Sequence, residues 1–178
     1  MKTTRWLAAV GGLFLGGMGA ALAAAPAAAR AEVIFDHPEN FADVKDALQP
    51  TEKGTAGILK ALSDYLMRES RYLVPEGCKL TMVFTDIHLA GDFEPWRGTG
   101  WDDVRIIKSI YPPHFKFSYR LADSTGRVIR EGREDIMDLG FDFRVPLDRQ
   151  DPLRYEKAIL KDWMRRRLDG PLPKATAQ

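Results

Sequence analysis

Alternation of apolar and polar residues is clearest at Phe115, Phe117, Tyr119 and Leu121, which interleave with Lys116, Ser118 and Arg120. A period of two predicts a strand with one buried face. Asp123-Ser124-Thr125-Gly126 then predicts a tight turn, with Gly126 able to take positive φ, and Val128–Asp138 (VIREGREDIMD) the returning strand. Charges on that strand are placed to pair across the hairpin. Upstream, Lys79–Leu89 (KLTMVFTDIHL) puts Leu80, Met82 and Phe84 on one face and Val83, Ile87 and Leu89 on the other. Apolar residues on both faces predict a central strand. Glu32–Phe35 predicts a short first strand. Val104–Ile110 predicts another, closed by Pro112-Pro113, which cannot donate to a ladder.

Two segments carry the helical period instead. Ile58, Ala61, Leu62, Tyr65, Leu66, Glu69, Tyr72 and Leu73 predict a helix from about Thr55 to Arg71. Asp151 as N-cap and Pro152 at the first helical position open a second, whose buried stripe is Leu153, Leu160, Trp163, Met164 and Leu168. Arg165-Arg166-Arg167 closes it, where cations complement the helix dipole. The order β-α-β-β-β-β-α predicts an α+β fold with a single antiparallel-rich sheet and two flanking helices. One domain is expected over residues 32–168, followed by a disordered tail at 169–178.

The N-terminus has a different character. Lys2 and Arg5 precede an uncharged apolar run, Trp6–Leu22, and small-residue sites follow at Ala21-Leu22-Ala23 and Ala29-Arg30-Ala31. This is the pattern of a secretory signal peptide, here residues 1–31, with an uncleaved anchor as the competing reading. Of the 26 Lys+Arg, removal takes Lys2, Arg5 and Arg30 and leaves 23 against 25 Asp+Glu. So balanced a domain lacks the basic footprint of a nucleic-acid binder, and no stable membrane insertion is expected after cleavage. Cys78 is the single cysteine, which excludes an internal disulfide and a thiol-rich zinc site.

Candidate chemistry gathers in Leu89–Gly98 (LAGDFEPWRG) and the residues after it. Trp96 and Arg97 behind Pro95, with Glu94, Asp103 and Arg105, form a candidate interaction loop of hot-spot residue types. The alternative is a structural lid, with Trp96 folded onto the sheet edge, Arg97 paired to Glu94 or Asp103, and Arg105 paired across to a carboxylate. A hydrolase would draw its acid and base from carboxylates between Asp92 and Asp103. Asp86 and His88, two apart on a strand, with Asp92 make a weak candidate set for a divalent metal. No nucleophile elbow, phosphate loop or zinc-protease motif occurs, and no cofactor is expected.

The segments Leu89–Gly98, Asp102–Pro113 (DDVRIIKSIYPP), the turn Asp123–Gly126 and Asp151–Arg166 (DPLRYEKAILKDWMRR) resemble a bacterial family, the domain of unknown function 3016. A further match runs from Phe35-Asp36 through Pro38 to Phe41. The resemblance implies an exported, periplasmic protein of Gram-negative bacteria. It supplies no activity, cofactor or catalytic residue, and implies no fixed histidine at His88 or His114. The expected function is therefore a non-catalytic binding or accessory module of the cell envelope, its partner another envelope protein. A periplasmic hydrolase and a divalent-metal-binding protein are the alternatives.

Overall fold

The computed structural model describes residues 30–45, 51–98, 100–101, 103–144 and 148–168. The expected tail and all but the last two residues of the expected signal peptide lie outside them. Strand β1 (Ala31–Phe35) leads through helix α1 (Glu52–Leu73) to β2 (Lys79–His88). Two short strands follow, β3 (Asp92–Phe93) and β4 (Arg105–Ile106), then β5 (His114–Ala122), β6 (Val128–Met137) and helix α2 (Arg154–Leu168). The main sheet runs β1-β2-β5-β6, while β3 and β4 pair separately. The α+β class and the two helices agree with the sequence pattern. The sheet is mixed, because β1 lies parallel to β2 and α1 makes the crossover.

Both helices cover one face of this sheet. From α1 come Leu59, Leu62, Tyr65 and Leu66, and from α2 Ile159, Leu160, Trp163, Met164 and Leu168, all buried. The sheet contributes Leu80, Met82, Phe84, Ile87, Phe115, Phe117, Tyr119 and Leu121. Trp163 meets Phe117 and Tyr119 edge-on at 4.8 and 5.1 Å between ring centroids. Burying such a side chain is worth about 2–3 kcal/mol, and Ile159, Leu160, Met164 and Leu168 add comparable burial along α2. The opposite face, including Thr81, Val83, Ser118, Arg120, Glu131 and Arg133, has no second layer among the described residues.

Four local features depart from the sequence pattern. A β-bulge between Phe84 and Asp86 adds one residue to β2. It returns Ile87 and Leu89 to the helix-covered face with Leu80, Met82 and Phe84, so they do not share Val83's face. Thr51 caps α1 by accepting from the Gly54 amide at 3.2 Å, which starts the helix before Thr55. Of the stripe expected on α1, Tyr72 is solvent-exposed. Only Arg105–Ile106 of the expected strand Val104–Ile110 is extended in a ladder. At the other end of the sheet the Asp123–Gly126 turn forms as read, with Gly126 at φ 84° and its amide donating to the Asp123 carbonyl at 2.9 Å. Cys78 is a buried free thiol whose pKa burial pushes up.

Candidate functional site

β2 ends, β5 begins and β6 ends at one edge of the sheet, and residues 89–113 are packed there. Three anchors fix them. At the first, the Ala90 amide donates to Glu156 Oε1 of α2 at 2.7 Å, and Gly91 follows at φ 81°. A Cβ on Gly91 would stand 2.7 Å from both the Ile106 carbonyl oxygen and Ile107 Cδ1, so the chain crosses β4 in a way only glycine permits. Glu156 is fully enclosed, its Oε2 has no partner among the described residues, and desolvation raises its pKa.

Arg105 is the second anchor. Its guanidinium grips Asp43 with both nitrogens, at 2.7 and 3.0 Å, and donates to the carbonyls of Gly91 at 2.9 Å and Lys45 at 3.0 Å. It also stacks 4.6 Å over the Phe93 ring. Asp43 is itself fixed to the end of β2, its amide on the Ile87 carbonyl and its carbonyl on the Leu89 amide, both at 3.1 Å. Arg105 therefore pairs with a residue far outside its hairpin, and no carboxylate opposes it across the strand. A planar fork with five donors suits that many acceptors, whereas lysine would not.

Glu94 forms the third. It is buried and accepts from Lys108 Nζ at 2.5 Å, Tyr111 Oη at 2.9 Å and Arg97 Nε. The Lys108 bond, with those from Arg97 and Tyr111, outweighs desolvation and holds the carboxyl down at about 2. A carboxylate held ionised by three hydrogen bonds, two on Oε1 and one on Oε2, pins Arg97, Lys108 and Tyr111 together.

Around these pins sit residues that are not buried. Pro95–Arg97 forms a single 3-10 turn, and Trp96 on it is 71% exposed. This is the opposite of a lid. Arg97 reaches back to Glu94 and lies 5.6 Å over the Trp101 ring. Ile110, also 71% exposed, and the partly exposed Trp101 belong to the same excursion. The β6–α2 connection adds Leu139 and Phe143, and a hydrogen bond from Ser109 Oγ to Asp142 Oδ2 at 2.6 Å ties the two segments together. Trp96, Trp101, Ile110, Leu139 and Phe143 are thus large apolar side chains exposed on these two connections.

The other candidates do not converge. Asp103 is exposed and has no ion-pair partner among the described residues, and Asp102 lies outside them. Asp86 Oδ1 accepts from the Ala42 amide at 2.8 Å, and Asp92 Oδ1 from its neighbour Phe93 at 2.7 Å. His88 Nε2 stands 3.9 Å from Asp43 Oδ2. No group of three or more His, Cys, Asp or Glu among the described residues is placed to hold a metal ion. Asp86, His88 and Asp92 thus serve three separate local roles.

The profile of the family described as protein of unknown function (DUF3016) matches residues 29–166. The chain belongs to this family. Neither a curated protein nor a solved structure gives a significant match. The DUF3016 match spans all three anchors, and four of the residues that build them were not singled out by sequence reasoning. Those are Asp43, Lys108, Tyr111 and Glu156. Glu156 had a legible signal, since it falls three after Leu153 and four before Leu160 on the apolar stripe of α2. A charge in that position must find a buried partner. Asp43 had none, because its contact to Arg105 spans 62 residues.

Proposed function

We propose that this DUF3016 protein is an exported, non-catalytic binding module of the cell envelope that engages a partner protein through the Trp96 end. The observation that carries this reading is the pairing of a buried Glu94, held by three hydrogen bonds, with an exposed Trp96 two residues away. The three bonds to Glu94 hold the backbone turn that presents Trp96, so a partner need order only the side chain and not the loop. Trp and Arg are the residue types that most often dominate interfaces.

Export rests on the sequence pattern, and the fold bears on where processing occurs. Arg30 Nη1 donates to the Arg71 and Val74 carbonyls at 2.9 and 3.3 Å, closing the C-terminal end of α1, and Ala31 is buried in β1. Cleavage after Ala23 retains both; cleavage after Ala31 discards them. We place processing at the earlier site, and the mass of the mature protein isolated from the periplasm tests both the export and the site. A cytoplasmic, full-length product would overturn them.

Partner binding is tested with a photo-crosslinking residue at Trp96 in living cells, with the same residue at Lys60 on the far side as control. A discrete adduct at position 96 and none at 60 is the expected outcome. Absence of an adduct from a folded, normally located protein would reject the Trp96 end as an interface.

A further inference from the structure

β6 is the edge of the sheet, paired with β5 on one side only. No backbone hydrogen bond from its outer edge is found among the described residues. Edge strands are commonly protected by charge, and β6 is densely charged: Arg130, Glu131, Gly132, Arg133, Glu134 and Asp135 run consecutively. Within the run 130–135, however, the order of those charges leaves only one axis that sets no charge against its own copy.

Two copies of a strand can pair antiparallel only about a two-fold axis. Residues opposite each other must both point their backbone groups into the new ladder, so the axis passes through a residue and not between two. With the axis at Arg130, Glu131, Arg133, Glu134 or Asp135, that charge faces its own copy, which is destabilising. Gly132 alone puts no side chain there. About Gly132, Glu131 faces Arg133 of the other copy and Arg130 faces Glu134, so every charge from 130 to 134 meets its opposite. We infer that β6 is the self-association edge of this protein, pairing with a second copy about Gly132 to join two four-stranded sheets into one of eight.

The surroundings fit. Glu131 and Arg133 lie on the open face, exposed, with no ion-pair partner among the described residues. Arg130 and Glu134 lie on the helix side, where Arg167 of α2 already meets both: its carbonyl accepts from Arg130 and its Nε stands 2.9 Å from Glu134. The C-terminal end of α2 therefore reaches the seam. A two-fold axis perpendicular to the sheet leaves the helices of both copies on the same face, with the C-terminal ends of the two α2 helices beside the seam. Eight strands lie within the ordinary size of open sheets.

Charge reversal tests this on the protein as isolated from cells, by sedimentation velocity from about 1 to 200 µM. The wild type is expected to dimerise in that range, less at high salt. Glu131→Arg alone sets like charges opposite each other twice, as does Arg133→Glu alone, and each should weaken the dimer about tenfold or more. Both positions are exposed, so circular dichroism should remain that of the wild type. An equimolar mixture of the two variants restores opposite signs at every position, and should form a heterodimer that neither forms by itself. A wild type that stays monomeric throughout would overturn the inference. So would a dimer indifferent to both reversals, or a mixture that fails to associate.

Discussion

Replacing Arg105 by alanine removes one side chain and strands four acceptors. Asp43 loses a bidentate partner, and the carbonyls of Gly91 and Lys45 lose their donor. Both members of the ion pair are largely buried, with side-chain exposures of 12% and 11%. Their attraction is therefore little screened, and an orphaned Asp43 keeps most of its desolvation cost. Breaking such a pair from one side costs about 3–5 kcal/mol. For a domain of this size that lowers the melting midpoint by about 10 °C. Arg105→Lys keeps a charge but not the fork, and should recover less than half of the loss. Urea unfolding followed by circular dichroism measures each variant, and Asp43→Ala with Arg105→Ala completes a double-mutant cycle. The two losses should overlap, with a coupling of at least about 1 kcal/mol. A loss below about 1 kcal/mol for Arg105→Ala, or strict additivity, would refute the reasoning that this pair fixes the excursion to the sheet.

Glu156→Gln probes the buried carboxyl. Burial raises the Glu156 pKa above its ordinary 4.5, so its contribution to stability is complete below that value and is lost as pH rises toward the folded pKa. Relative to wild type the glutamine variant should gain stability as pH rises above 4.5, and chemical denaturation on both sides of that value would show it. Glu94 works in the opposite direction: its folded pKa of about 2 lies below the ordinary 4.5, so its contribution is present above 4.5 and lost as pH falls through that interval. Glu94→Gln should flatten the acid limb of the stability curve, and an unchanged limb would remove Glu94 as a pin. Gly91→Ala should cost about 2 kcal/mol or more, because its Cβ would stand 2.7 Å from a backbone oxygen at positive φ. Gly57→Ala, with nothing within 4 Å of the new methyl in α1, should stabilise by about 0.5–1 kcal/mol, and urea unfolding measures both glycine variants.

Legibility in the sequence followed the range of the interactions. The β5–β6 hairpin was plain, because alternation at Phe115–Leu121 and the Asp123–Gly126 turn are local signals. The face of Ile87 was not, since the bulge at Thr85 shifts the phase of β2 without any glycine or proline to announce it. Most of the expected strand Val104–Ile110 is irregular because its partner is only Asp92–Phe93; outside that ladder the Val104 amide donates to the Trp101 carbonyl and the Lys108 carbonyl accepts from the Tyr111 amide. The site divides in the same way. The Glu94–Arg97 contact is three residues apart and could be expected from spacing alone. Asp43–Arg105 and Ala90–Glu156 span 62 and 66 residues and depend on the completed fold.

The path between β2 and β5 carries a consequence for engineering. These strands are antiparallel neighbours, with His88 directly opposite His114. Geometrically they are the two arms of a hairpin, and a two-residue turn would suffice to join them. Everything from Leu89 to Pro113 is then an insertion at a hairpin tip, outside the main ladder and docked on the scaffold through Asp43, Asp142 and Glu156 and through the buried Leu89. Such a segment is a cassette. Excised beyond Leu89 and replaced by a short turn, it should leave a four-stranded sheet with its two helices; transplanted with its docking residues, it should carry the exposed Trp96 surface to another scaffold.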